Sequence, residues 1–268
     1  MMSQTIDGHV ARKRFGQNFL ADTHIIERIV TAIHPQVSDC MVEIGPGLGA
    51  LTHHLLPHLN RLVALELDRD LAQRLRIETL VEGKLTLIEA NALKFDIASL
   101  YDDRPMRIVG NLPYNISTPL IFHLLGHANR ILDMHFMLQK EVVERMVATP
   151  GDRAYGRLSV MLQYRCQVDL LFLVPPSAFR PPPKVESAIV RLAPYAHLPY
   201  PCSHEARLHQ VVTQAFGQRR KTLRNALRDE VPDHAWVELN LSATARPETL
   251  SVADYVRLVN WLEQHGTA

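Results

Sequence analysis

Cysteine is scarce in this chain, long apolar runs are missing, and there is almost no net charge. Three cysteines, Cys40, Cys166 and Cys202, are spread over 268 residues. They lack the close spacing of a disulfide framework or a zinc site, so a reducing cytosol is expected, with no disulfide and no metal centre. No stretch reaches the roughly 18 uncharged apolar residues of a membrane span. The basic Arg12, Lys13 and Arg14 are not followed by an apolar segment, which argues against a secretory signal. Together these absences predict a cytoplasmic protein without a membrane partner. A net charge of +1 removes any global polyelectrolyte signature, and the 14 histidines are scattered as solvated surface would have them. No internal repeat is found.

What remains is a chain with 47% hydrophobic residues, enough for one large core or a main domain with a small appendage. Its most informative stretch is Asn111-Leu112-Pro113-Tyr114, which follows the apolar run Met106 to Val109. An adenine amino group is a poor nucleophile with two N–H donors. The Asn111 side-chain oxygen and the Leu112 carbonyl, at a strand end, are suited to accept both and polarise the nitrogen toward an incoming methyl group. Pro113 fixes φ and removes a competing donor. Tyr114 offers a face on which a base can stack. An ordinary Asn-Pro-Tyr turn is the bland alternative.

The neighbouring residues favour the chemical reading. Cys40 to Ile44 is a short apolar run, and Gly45-Pro46-Gly47-Leu48-Gly49 follows it at once. A helix is expected from Ala50 through Leu51, Leu55 and Leu56, cut short at Pro57. Strand, glycine-rich turn and helix open a nucleotide-binding βαβ unit. The glycine spacing is not that of a dinucleotide site, however, and Glu43 stands just before it. An acid there repels a pyrophosphate and suits the cationic end of S-adenosylmethionine. Glu66 ends a second apolar run, 21 positions past Gly45, where a carboxylate can accept from ribose hydroxyls. A third run, Leu85 to Ile88, leads to Asn91, suited to an adenine edge. Glu43, Glu66, Asn91 and Asn111 thus follow successive strands at intervals of 23, 25 and 20 residues, and in an open parallel sheet those ends share one crevice.

Further along, Ser117 to Leu125 reads as a helix, Met134 to Leu138 as a fifth strand, Lys140 to Val147 as a helix and Ser187 to Leu192 as a last strand. The 151–157 stretch is either a hinge with cations or a plain surface loop. The proline-rich Pro175 to Val185 stiffens a loop around Phe179, which either faces Tyr114 as a second stacking surface or plugs the core. Pro194 to Pro201 reads as a linker, after which Ser203 to Leu227 and Ser251 to Gln264 carry helical patterns. Domains are therefore expected at 1–195 and 202–268, the second small and all-helical. From Arg207 to Arg228 there are six basic residues and no acid. Arg220, Arg224 and Arg228 fall four apart on the expected helix, beside Lys221, and the lack of interleaved acids favours phosphate contact.

Taken together, Arg14 to Leu20, Glu43 to Gly49, Glu66, Asn111 to Ser117, Phe179 to Val185 and Gln218 to Arg224 resemble the small-subunit ribosomal RNA adenine dimethyltransferase family, relatives of the erythromycin-resistance ribosomal RNA methylases. The resemblance covers nearly the whole chain. It implies an α/β fold, a Rossmann-like S-adenosylmethionine-dependent methyltransferase with a seven-stranded, mostly parallel sheet. It also implies a cytoplasmic enzyme that dimethylates N6 of two adjacent adenosines near the 3′ end of small-subunit RNA. Implied cofactor contacts are Asn18, Leu20, Gly45, Glu66, position 91 and Asn111, to which the residue reading adds Glu43 and Gly47. The catalytic set is Asn111, Leu112, Pro113, Tyr114 and Phe179. RNA contacts are expected at Arg12, Lys13, Arg14, Lys184, Arg219, Arg220, Lys221 and Arg224. The N-terminal stretch, a tail on composition alone, becomes an ordered lid by resemblance. The partner is the small-subunit RNA within an assembling particle, and a monomer is expected. One departure is Asn91, where the family usually has Asp.

Three rivals are weaker. A cytosine C5 methylase needs a Cys nucleophile, and Cys202 sits in the linker. A nicotinamide oxidoreductase fits the fold but not the glycine spacing. A large-subunit methylase of the antibiotic-resistance type shares the Asn111 chemistry, with the Arg219 to Lys221 stretch against it. An assembly factor whose binding outweighs its catalysis is the remaining alternative.

Overall fold

The computed structural model describes residues 5–6, 9–10, 18–218 and 220–265. The RNA contacts expected at Arg12, Lys13, Arg14 and Arg219 lie outside the described residues. The strands are β1 (Thr5–Ile6), β2 (His9–Val10), β3 (Phe19–Leu20), β4 (Cys40–Ile44), β5 (Leu62–Glu66), β6 (Leu85–Glu89), β7 (Met106–Asn111), β8 (Ile131–Gln139), β9 (Cys166–Val174), β10 (Phe179–Arg180) and β11 (Ser187–Pro194). The helices are α1 (Thr23–Ile33), α2 (Thr52–Leu55), α3 (Arg69–Glu78), α4 (Ser117–Leu125), α5 (Lys140–Val147), α6 (Arg157–Arg165), α7 (Glu205–Gly217), α8 (Leu223–Ala226), α9 (Asp233–Glu238) and α10 (Val252–His265).

Seven strands form one sheet in the order β6-β5-β4-β7-β8-β11-β9. Pairing is parallel from β6 to β8, and β11 runs antiparallel to β8. This is the seven-stranded Rossmann-like sheet that the family resemblance implied. β4 and β5 are buried at every position, which is why they read as continuous apolar runs rather than alternating ones. α1 covers one face with Ile26, Ile29, Val30 and Ile33. Its first turn is capped by Asp22, which accepts from the His24 and Ile25 N–H groups at 3.0 and 3.2 Å. Pro57 ends α2 after one turn, as its missing donor requires, and the chain continues as a 3-10 turn over Leu56–His58.

Below the strand ends, Arg107 of β7 is buried. It donates to both oxygens of Asp133 at 2.9 Å, to Asp39 at 2.7 Å and to the Ile33 carbonyl at 2.7 Å. One guanidinium thereby joins β7, β8 and the carboxyl end of α1.

The chain divides into two compact units. Among the described residues, one runs to Val143 and takes in Asp169–Pro194, and the other holds Glu144–Val168 and the chain from Tyr195 onward. The contiguous boundary expected near residue 195 is therefore crossed by residues 144–168. The reason is packing: Tyr155, Val160 and Tyr164 share a buried cluster with Leu208 and Val212 of α7 and Tyr255 and Val259 of α10. Tyr155 is fully buried, so the 151–157 stretch, although exposed over residues 151–153, is anchored to the helical unit through that ring. The expected long helix from Ser203 also differs. α7 ends at Gly217 and α8 starts only at Leu223, so Arg220, Arg224 and Arg228 do not line one helical face.

Candidate active site

The glycine-rich turn leaves β4 with Gly45 at φ +67° and Gly47 at φ +59°, a region that residues bearing Cβ rarely enter. A Cβ on Gly47 would also lie 3.3 Å from the Phe19 ring. The turn thus brings its N–H groups to the end of β5, where Glu66 Oε2 accepts from the Gly47 N–H at 3.1 Å and Oε1 from the Asp68 N–H at 2.8 Å. Glu43 is 2% exposed and accepts from the Thr52 hydroxyl at 2.6 Å. Burial, opposed by that hydrogen bond and helped by the nearby Glu66, pushes the Glu43 carboxyl up to about 7. Burial also raises Glu66, while N–H groups of Asp68, Gly47 and Leu67 counter it.

These carboxylates border a cavity of about 300 Å³. Glu43, Glu66, Asn91 and Asn111 all line it, together with Asn18, Leu20, Gly45, Gly47, Leu112, Pro113 and Tyr114. The four polar residues separated by more than sixty positions of sequence are therefore brought to one crevice, as the parallel-sheet rule requires. Leu48, Leu51, Leu71 and Ile116 add apolar walls. The pattern suits a nucleoside with one charged end: a glycine cradle, a carboxylate at a strand end, an amide farther along and a buried acid near the turn. Asn91 Oδ1 accepts from the Leu93 N–H at 3.0 Å, which fixes the side chain at the cavity wall.

Asn111 is the last residue of β7. Its Nδ2 donates to the Asn18 carbonyl at 3.0 Å, so the amide is oriented and Oδ1 remains as the acceptor. Gly110 before it has no room for a side chain, since a Cβ would lie 2.5 Å from the Ile44 carbonyl oxygen. That close approach of β4 and β7 sets the distance between the glycine turn and Asn111. Leu112 is buried, and its N–H bonds the Met137 carbonyl at 3.3 Å. Among the described residues its own carbonyl accepts no hydrogen bond. Pro113 opens a turn closed by the Ile116 N–H at 3.1 Å. The Tyr114 hydroxyl pairs with Ser187 Oγ at 2.8 Å, and burial raises that hydroxyl.

Phe179 departs from the stacking role assigned to it. It is 1% exposed, packs in the core with Leu20 and Ala178, and does not line the cavity. The cause is β10, which pairs with β3 so that Phe179 faces Leu20 across the ladder. A ring closed on both faces cannot receive a base, so the core-plugging alternative describes this structure.

The cations expected to meet RNA separate as well. Lys184, Arg220 and Lys221 are exposed, and among the described residues none of the three forms an ion pair. Arg224 donates to Asp233 at 2.7 Å, while Arg207 pairs with Glu230 and Arg228 with Asp229. The acids missing from the basic segment are supplied by the residues that follow it. Cys202 is half-buried, and burial raises its thiol, opposite to what a nucleophile needs.

Two contacts escaped the sequence reading. Asn18 acts on Asn111 through its backbone carbonyl, for which no residue type is diagnostic. Ser187 lies at the amino end of an antiparallel strand, and a search along the carboxyl ends of parallel strands passes over it.

Comparison with known proteins agrees with this geometry. The family model for ribosomal RNA adenine dimethylase matches residues 8–264. A ribosomal RNA small subunit methyltransferase A from Mannheimia succiniciproducens is 55% identical, covering 97% of this chain and 93% of the relative. A protein of the same name from Erwinia tasmaniensis is 53% identical, covering 99% and 98%. Among solved structures, a dimethyladenosine transferase from Plasmodium falciparum superposes with TM-score 0.81 at 28% identity, over 92% of this chain and 98% of the other. The 23S rRNA methyltransferase ErmE does so with TM-score 0.74 at 25% identity, over 92% and 100%. With a family match over nearly its whole length and relatives above half identity, the chain belongs to the ribosomal RNA adenine dimethylase family.

Proposed function

We propose that this protein dimethylates N6 of two adjacent adenosines near the 3′ end of small-subunit ribosomal RNA, with S-adenosylmethionine as methyl donor. The observation that carries the chemistry is Asn111, which lines the cavity and whose amide nitrogen is committed to the Asn18 carbonyl, leaving its oxygen as the acceptor. When bound, S-adenosylmethionine supplies a methyl group already activated on a sulfonium. Glu66 accepts from its ribose hydroxyls, Asn91 meets its adenine edge, and Glu43, once ionised above about pH 7, places negative charge near its cationic end. Asn111 Oδ1 and the Leu112 carbonyl accept the two amino protons of the target base, and Tyr114 supports the ring. Positioning of this kind can contribute several of the roughly 7 to 11 kcal/mol available from orientation. The target must leave its stack to reach the site, which favours a loop or single-stranded adenosine.

The choice of small-subunit RNA follows the names of the relatives at 55% and 53% identity. Lys184, Arg220 and Lys221 are proposed to meet its phosphates, with Arg224 doing so only on leaving Asp233. The protein is proposed to act in the cytoplasm, as a monomer, on an assembling small subunit. Labelled methyl transfer onto unmethylated small subunits, large subunits and naked RNA, followed by nucleoside analysis, tests this. N6,N6-dimethyladenosine confined to the small-subunit arm is expected. Label in the large-subunit arm alone would replace the reading with a resistance-type methylase.

A further inference from the structure

Tyr114 is fixed at both ends. Its backbone lies in the turn that starts at Pro113, where Ser117 Oγ donates to the Tyr114 carbonyl at 3.2 Å. At the far end the hydroxyl meets Ser187 Oγ at 2.8 Å, its one hydrogen bond among the described residues. Ser187 is 0% exposed and opens β11 opposite Gln139, the last residue of β8. Its approach is anchored too: the Lys140 N–H donates to the Glu186 carbonyl at 3.0 Å and the Lys140 ammonium to the Glu186 carboxylate at 2.9 Å. The antiparallel direction of β11 is what brings the start of this strand to the carboxyl edge of the sheet, beside Tyr114.

We infer that Ser187 is a positioning residue for the methyl-transfer reaction, holding the Tyr114 ring as a fixed platform for the target base. The inference rests on the function proposed above. A ring tied at its hydroxyl has little rotamer freedom left to lose when a base stacks on it, so the base arrives at a surface already in place. The platform matters most for the second transfer. A monomethylated nitrogen keeps a single N–H, so one of the two acceptors, Asn111 Oδ1 or the Leu112 carbonyl, loses its partner and stacking must hold more of the base.

The test uses the full chain, unmethylated small ribosomal subunits and labelled S-adenosylmethionine. Ser187→Ala is expected to lower kcat/KM about three- to ten-fold, the span of one ordinary net hydrogen bond, and to raise the share of N6-monomethyladenosine. Its Kd for S-adenosylmethionine is expected to stay within about twofold of wild type. Tyr114→Phe deletes the same bond from the other side with little change of shape and is expected to act alike. The double variant is then no worse than either single, the non-additivity of one shared interaction. Wild-type rate and product ratio in either single variant, or multiplied losses in the double, would overturn the inference. Should Ser187→Ala lose cofactor binding through misfolding, Tyr114→Phe decides by the same criteria. A wild-type protein that makes no dimethyladenosine would overturn the functional reading as well, a result distinct from an unaffected Ser187 variant.

Discussion

Replacing Glu43 by Gln should make the protein more stable, relative to wild type, as pH rises. The carboxyl is sealed at 2% exposure and its folded value lies at about 7 against an ordinary 4.5. At about 1.36 kcal/mol per unit, the ionised form costs about 3 kcal/mol in the folded state. Because the folded value is the higher one, folding takes up a proton in this window. The stability linked to Glu43 is complete below pH 4.5 and is lost as pH rises through about 7. Linkage puts the loss at about 1 kcal/mol by pH 5 and about 3 kcal/mol by pH 8. Glutamine keeps an oxygen for the Thr52 hydroxyl and does not titrate, so any constant cost of the amide cancels when the two pH values are compared. Urea midpoints of both proteins without ligand, followed by circular dichroism from pH 5 to pH 8, should show the variant gaining about 2 kcal/mol on wild type across that range. Burial holds His135 down at about 4, which erodes stability on the acid side as pH falls below 6.5, but both proteins share that term. A gap that does not change with pH would refute the assignment of a neutral, buried acid at the glycine turn. The same acid predicts that affinity for S-adenosylmethionine rises more steeply with pH through 7 in wild type than in Glu43→Gln.

Three other substitutions probe different parts of the site. Asn111→Ala should abolish methyl transfer while leaving S-adenosylmethionine binding mostly intact in a calorimetric titration, and normal turnover would remove Asn111 from the chemistry. Asn91→Asp keeps the acceptor that bonds the Leu93 N–H and adds charge at the cavity wall; cofactor binding should tighten by about 0.5 to 1.5 kcal/mol, and an unchanged Kd would refute this. Arg107→Met leaves Asp133, 4% exposed, with only the longer ion pair to Arg191 at 3.8 Å among guanidinium partners; stability should fall by about 3 kcal/mol, and a melting temperature like that of wild type would show that Arg107 is not doing this structural job.

How much of this was legible in the sequence depends on where each contact is made. Glu43, Glu66, Asn91 and Asn111 were readable because they obey a short-range rule, a polar residue at the end of an apolar strand, and the parallel order of β6 to β8 converts that rule into a shared cavity. The end of α2 was readable for the same reason, since Pro57 acts within one turn of itself. Phe179 was not. Proline fixes the local path of the chain around it but says nothing of which strand lies opposite, and the pairing of β10 with β3 decided that the ring would be covered.

The basic segment shows the same limit from the other side. Cations four apart imply one helical face only if the helix persists, and Gln218 leaves it with φ −128° and ψ 57° before Thr222 starts the next. Their partners come from the residues after them, Asp229, Glu230 and Asp233, so a charge count over residues 207–228 sees a cluster that the fold has already half neutralised. Arg220 and Lys221, which keep no acid among the described residues, are then the cations whose removal should weaken RNA binding in proportion to the counterions they release. Arg224 must first surrender Asp233, so its loss should alter the salt dependence less. Binding of fluorescent small-subunit RNA across a range of salt concentrations separates the two kinds. Equal slopes for Lys221→Ala and Arg224→Ala would mean that the Asp233 pairing opens at no cost.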